Sequence, residues 1–126
     1  MEIWKELKML KKSNGNEYYF SGYKVSNYGR IISIKRNKEK YLIGRLDNQG
    51  YHSFCLVDNN GKKTNHRGHT IVMQTFVGVP EQGMVVCHYD DIKTNNHLDN
   101  LRYDTRKENW KDIVRNDIVF NKRPRR

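Results

Sequence analysis

A chain of 126 residues, 36% of them hydrophobic and with a mean hydropathy of −0.97, has room for one compact domain or two very small modules around a thin core. Lys and Arg total 24 against 14 acidic residues, giving a formal net charge of +10 and a pI near 9.7; the expected partner is a polyanion, nucleic acid first. No stretch is apolar and long enough to cross a bilayer, no signal-peptide core follows Met1, and two cysteines without a CxxC pair argue against a disulfide scaffold or a Cys-rich zinc site.

The composition therefore reads as an intracellular protein with Cys55 and Cys87 reduced. Along the chain, residues 1–20 begin with a short amphipathic segment in which Trp4, Leu7 and Leu10 share a face, and Ser13-Asn14-Gly15-Asn16 breaks it. In residues 23–36, apolar β-favouring runs flank Asn27-Tyr28-Gly29, which predicts two strands joined by a tight turn with Gly29 left-handed. The charged 37–40 segment reads as a loop. Residues 41–46 and 51–57 form a second strand pair around Asp47-Asn48-Gln49-Gly50, and Asn60-Gly61 turns the chain into a return strand at 62–67. Ile71, Val72, Thr75 and Phe76 then recur at helical spacing, predicting a helix over 69–77 that Gly78 and Pro80 end.

Residues 84–110 carry the chemistry. Met84-Val85-Val86 is a short β-like run delivering Cys87 and His88 at its end, and 90–100 is an Asp- and Asn-rich loop. Leu101-Arg102-Tyr103 can pair back as a second strand, and Thr105 with Glu108 makes a capping box that starts a helix. The order is ββα.

This segment resembles HNH endonucleases of the phage and homing-endonuclease branch, through His88, Asn95-Asn96, Asn100-Leu101 and Glu108-Asn109 in that order. Residues 69–80 are similar to the helix that precedes the motif in that branch. Trp4-Lys5 followed by residues 23–34 resembles the nuclease-associated modular domain (NUMOD-like) often fused N-terminal to such nucleases. The resemblance covers residues 2–112. It implies an α+β chain: a small strand-rich N-terminal module at 1–62, a ββα-metal (His-Me finger) nuclease motif at 63–112, and a basic tail at 113–126. It also implies a phage or mobile-element origin, and hence the host cytoplasm.

By the same resemblance His88 is the general base for a water attacking the phosphodiester, a task suited to an imidazole at neutral pH. Asn100 orients that imidazole, and Asn109 offers its side-chain oxygen to one divalent ion, Mg²⁺ or Mn²⁺ by ligand hardness. Cys87 stands where better-understood members carry Asp or His as the other metal ligand, and a thiol matches Mg²⁺ poorly. Three readings stay open. Cys87 faces the core while water, Asp90 or Asp91 completes coordination; the site takes a softer ion such as Mn²⁺, Zn²⁺ or Ni²⁺; or the site is crippled.

From the residues alone, Lys24, Asn27, Arg30, Lys35 and Arg36 form a hairpin ribbon able to follow a DNA groove, with a solvated basic face as the plain alternative. Lys122, Arg123, Arg125 and Arg126 contact phosphates non-specifically if at all. His69 caps or packs its helix, His52, His66 and His97 lie on the surface, and Asn95 and Asn96 shape the loop. The expected activity is metal-dependent hydrolysis of DNA, with nicking favoured because a monomer with one ββα site cuts one strand per encounter. The rivals are an inactive DNA-binding module of the same fold and an RNA binder using Tyr18, Tyr19, Tyr23 and Tyr28. The partners are DNA, no membrane, and a recruiting or packaging protein left open.

Overall fold

The computed structural model of the chain describes residues 1–105. Its strands are β1 (Trp4–Glu6), β2 (Met9–Lys11), β3 (Glu17–Tyr19), β4 (Tyr23–Ser26), β5 (Ile31–Lys35), β6 (Lys38–Tyr41), β7 (Arg45–Leu46), β8 (His52–Val57) and β9 (Lys63–Arg67). Helix α1 (Gly68–Phe76) follows, then β10 (Met84–His88), a 3₁₀ turn at Leu98–Asn100, and β11 (Leu101–Thr105). All pairings are antiparallel, in four small sheets ordered β1-β4-β5-β6, β2-β3, β7-β8-β9 and β10-β11.

One local device builds four of the five hairpin turns between β2 and β9. Backbone bonds close Lys12 on Asn16, Ser26 on Arg30, Asp47 on Tyr51 and Asp58 on Lys62, at 2.8 to 2.9 Å. Each three-residue loop ends in a glycine at positive φ, as a type I turn with a bulge requires. Side chains reinforce three of them: the Ser26 hydroxyl, Asp47 and Asp58 each accept two backbone N–H bonds from their own loop. The charged segment at 37–40 is not a loop. Arg36 and Asn37, at φ 52° and 63°, make a two-residue turn, and Lys38–Tyr41 continues as an edge strand.

The N-terminal amphipathic segment resolves as two strand pieces. Leu7 N–H bonds the Tyr23 carbonyl and Phe20 N–H bonds the Lys8 carbonyl, so the backbone is satisfied by neighbours and not within a helix. Leu7 and Leu10 are nevertheless both fully buried, and Trp4 lies at the rim.

Among the described residues, a single α-helix organises the core. Ile71, Val72 and Met73 of α1 join Leu7, Leu10, Phe20, Tyr23, Val25, Ile31, Phe54, Leu56 and Leu101 in one cluster. The β8–β9 hairpin crosses residue 62, so the segments before and after it share a sheet as well as a core. With so little apolar material, a chain of this size gains by pooling it in one place.

Candidate active site

The β10–β11 hairpin positions the site. Its register ends on Cys87 opposite Arg102 and His88 opposite Leu101, so His88 leaves the sheet at the mouth of the 89–100 loop. That loop is tied by Asp90. One carboxylate oxygen accepts from Ile92 N–H and the Asn100 amide, each at 2.9 Å, and the other accepts from the Asn95 amide at 2.8 Å. Asn100 also donates to the Asn95 carbonyl at 2.9 Å and accepts from Asp90 N–H at 3.2 Å. Partial burial alone would raise the Asp90 pKa. The hydrogen bonds from Asn95, Ile92 and Asn100, with the nearby His88, outweigh burial and hold the carboxyl below the usual range.

The imidazole itself is held elsewhere than the sequence suggests. His88 Nε2 lies 3.0 Å from the Asn96 side-chain oxygen, with both residues buried. With that oxygen as acceptor, Nε2 carries the proton and Nδ1 keeps the lone pair. Asn100, expected to orient the ring, spends its carboxamide on Asp90 and Asn95, because twelve residues of loop bring it under the strand end and not onto the imidazole. Asn96, expected only to shape the loop, is the residue on His88.

Two further rings enclose His88. His69, at the start of α1, meets it edge to face at 5.3 Å between centroids, and Tyr51 lies 6.2 Å away. His69 is 7% exposed and its Nδ1 has no hydrogen-bond partner among the described residues. Burial, reinforced by the charges of His88 and Arg67 and opposed by Asp47, lowers its pKa to about 3. His66, expected on the surface, is instead buried against Tyr18 and Phe20, with its ring bonded to the Thr64 hydroxyl at 2.7 Å.

The hairpin read as a DNA ribbon also supports the loop. Leu98 N–H bonds the Asn27 carbonyl at 2.8 Å, Tyr28 stacks on His97 at 4.9 Å, and a Cβ on Gly29 would stand 3.0 Å from the Asn96 carbonyl oxygen. The Asn27 carboxamide is engaged by Ile3 N–H and the Met1 carbonyl. Arg30 pairs with Glu2 and lies over the Trp4 and Tyr41 rings at 5.7 and 5.0 Å. Two of the five proposed DNA contacts are thus committed to holding the N-terminus on the sheet. Lys24, Lys35 and Arg36 remain exposed.

Cys87 is 4% exposed, with its thiol 3.9 Å from the Val85 carbonyl. Among the described residues no three His, Cys, Asp or Glu side chains form a metal-holding group. Asn109, the Thr105–Glu108 capping box beyond Thr105, and the basic tail lie outside the described residues. Among the described residues, no helix is long and apolar enough to cross a membrane.

Comparison with known proteins agrees with this geometry. Residues 2–57 match the NUMOD4 motif and residues 66–111 match the HNH endonuclease family. The DNA endonuclease I-HmuI of Bacillus phage SP01 is 38% identical over 91 residues, which are 72% of this chain and 51% of that protein. An uncharacterised HNH endonuclease of Acanthamoeba polyphaga mimivirus is 31% identical over 110 residues, 85% of this chain and 32% of that one. The solved structure of I-HmuI, described for DNA binding and cleavage by an HNH homing endonuclease, superposes with a TM-score of 0.72 at 34% identity, over 89% of this chain and 57% of that one. This chain therefore spans about half the length of the first of these relatives and a third of the second. HNH endonucleases as a family use a divalent metal ion. With a NUMOD4 motif leading into a β10–β11 hairpin that ends on His88, residues 66–111 of this chain belong to the HNH endonuclease family.

Proposed function

We propose that this chain is a DNA endonuclease that nicks one strand per encounter, with His88 as its general base. The observation that carries this reading is the Asn96–His88 bond. It supports a proton on Nε2, which leaves the lone pair on Nδ1, the atom proposed to take a proton from the attacking water. Asp90, Asn95 and Asn100 hold the loop so that the imidazole keeps one orientation, and the rings of Tyr51 and His69 wall it on the protein side. A divalent ion, when bound, supplies Lewis-acid relief of charge on the phosphate and the leaving oxygen. Asn109 is the proposed hard-oxygen ligand, which favours Mg²⁺ or Mn²⁺, while the Cys87 thiol, buried against the Val85 carbonyl, is proposed to pack and not to ligate.

The net charge of +10 and the exposed Lys24, Lys35 and Arg36 support a DNA partner. The phage relative supports a phage or mobile-element setting; action in the host cytoplasm, as a monomer, is part of the same proposal. The buried Cys87 favours a second reading, a DNA-binding module without activity. Supercoiled plasmid incubated with Mg²⁺ or Mn²⁺, or with chelator, separates the two. Metal-dependent conversion to nicked circles, abolished in His88→Ala while DNA binding persists, is the expected result. A gel shift with no conversion under any ion leaves the inactive module.

A further inference from the structure

We propose that Arg67 and Lys93, gathered on the Tyr51 ring beside His88, bind a DNA backbone phosphate adjacent to the scissile bond; this rests on the nuclease reading above. The Tyr51 ring lies 6.2 Å from His88 and 5.0 Å from His69. Over that ring stand the Arg67 guanidinium carbon at 4.2 Å and the Lys93 ammonium at 4.9 Å, so the two cations are at most about 9 Å apart. They arrive from different elements, Arg67 from the end of β9 and Lys93 from the loop between His88 and Asn96.

The β7–β8 turn holds both in place. Arg67 Nε donates to Asp47 at 2.9 Å and its terminal nitrogen to the Gln49 side chain at 2.9 Å, while Lys93 donates to the Gln49 carbonyl at 2.8 Å. A plain structural role accounts for Arg67 alone, as a clasp on Asp47. It does not account for the second cation. Asp47 is the one carboxylate that ion-pairs with either of them among the described residues, and its other oxygen is taken by the N–H groups of Gln49 and Tyr51. Two positive groups over one aromatic ring, only one of them paired with a carboxylate among the described residues, repel each other, and an arriving anion relieves that repulsion. The guanidinium, with five N–H donors and two in use, keeps donors to offer a phosphate.

The surroundings fit a strand of nucleic acid. An open groove of about 1080 Å³ runs from Tyr51, Arg67 and His69 past Lys11, Lys12 and Gln74. A phosphate placed at Arg67 thus has a basic path for the chain that continues from it, with His88 one ring away across Tyr51.

The test is a salt titration of binding, paired with a cleavage rate. Affinity for a duplex is measured in chelator across a range of salt, for the wild type, Lys93→Gln, Lys93→Arg, Arg67→Gln/Lys93→Gln and the distant Lys62→Gln. Lys93→Gln is the primary variant, since among the described residues its ammonium meets a carbonyl and a ring, and a thermal melt confirms that each protein is folded. The slope of log affinity against log salt is expected to fall by about one for Lys93→Gln, by about two for the double variant, and to return in Lys93→Arg. With metal added and DNA saturating, Lys93→Gln is expected to cut about tenfold or more slowly. An unchanged slope, or an equal loss in Lys62→Gln, overturns the phosphate site. A lower slope with unchanged cutting overturns its place beside the scissile bond. Should the wild type cut no DNA with any ion, the nuclease reading falls, while the slopes still decide whether the pair holds a phosphate.

Discussion

Gly68→Ala sets two opposed effects against each other at the entrance to α1. Gly68 has no positive φ, so alanine there ordinarily gains about 0.5–1 kcal/mol of helix stability. Its Cβ, however, would stand 2.6 Å from the Asn96 amide nitrogen and 3.2 Å from the Phe54 ring, where ordinary contact begins at 3.4 Å. The Asn96 carboxamide must retreat by about 0.8 Å, and its oxygen sits only 3.0 Å from His88 Nε2, so the bond that orients the base is lost. Overpacking a buried site costs about 1–3 kcal/mol and an unmade bond to a buried ring about 1 kcal/mol more, which exceeds the helix gain.

The expected result is a net loss of about 1–3 kcal/mol in urea unfolding and a nicking rate down about 10- to 100-fold. The double variant Gly68→Ala/Asn96→Ala sharpens the test. Removing the carboxamide clears the space, so the double is expected to be no less stable than Asn96→Ala alone. A Gly68→Ala protein that melts and nicks like the wild type, or energies that simply add, would refute the close contact as the reason for glycine.

Two further expectations follow from buried groups. His66, held near 4 by burial and the Lys12 charge, and His69, held near 3, are neutral in the folded state, whereas an unfolded imidazole protonates near 6.5. Below that pH the unfolded chain binds the extra protons, so stability is full above pH 6.5 and is lost as pH falls toward about 4, by up to about 1.4 kcal/mol per unit for each ring. Unfolding free energies that stay flat from pH 6.5 to pH 4.5 would contradict this burial. Cys87 is buried with its thiol directed at Val85, so Cys87→Ala is expected to keep metal-dependent nicking within about threefold while losing some packing. A collapse of more than about a hundredfold, with affinity for Zn²⁺ or Mn²⁺ lost in parallel, would make the thiol a ligand instead.

Much of this protein is written in short-range chemistry. The Asp-x-x-Gly and Ser-x-x-Gly loops close their own hairpins through bonds that span four residues, so Gly29, Gly50 and Gly61 mark turns before any partner strand is known. The helix at 68–76 and the β10–β11 frame of His88 are legible for the same reason, since period and turn residues are local properties. Tertiary packing decided the rest. Leu7 and Leu10 carry a helical spacing, yet strands β4 and β3 supply their backbone partners, Tyr23 and Tyr18, which lie well beyond a helix's four-residue reach. Asn96 and Asn100 are the same residue type in the same loop, and no local signal says which reaches His88. That choice is made by Gly68, Gly29 and Asn27, which crowd the loop from elsewhere in the chain and leave one carboxamide facing the imidazole.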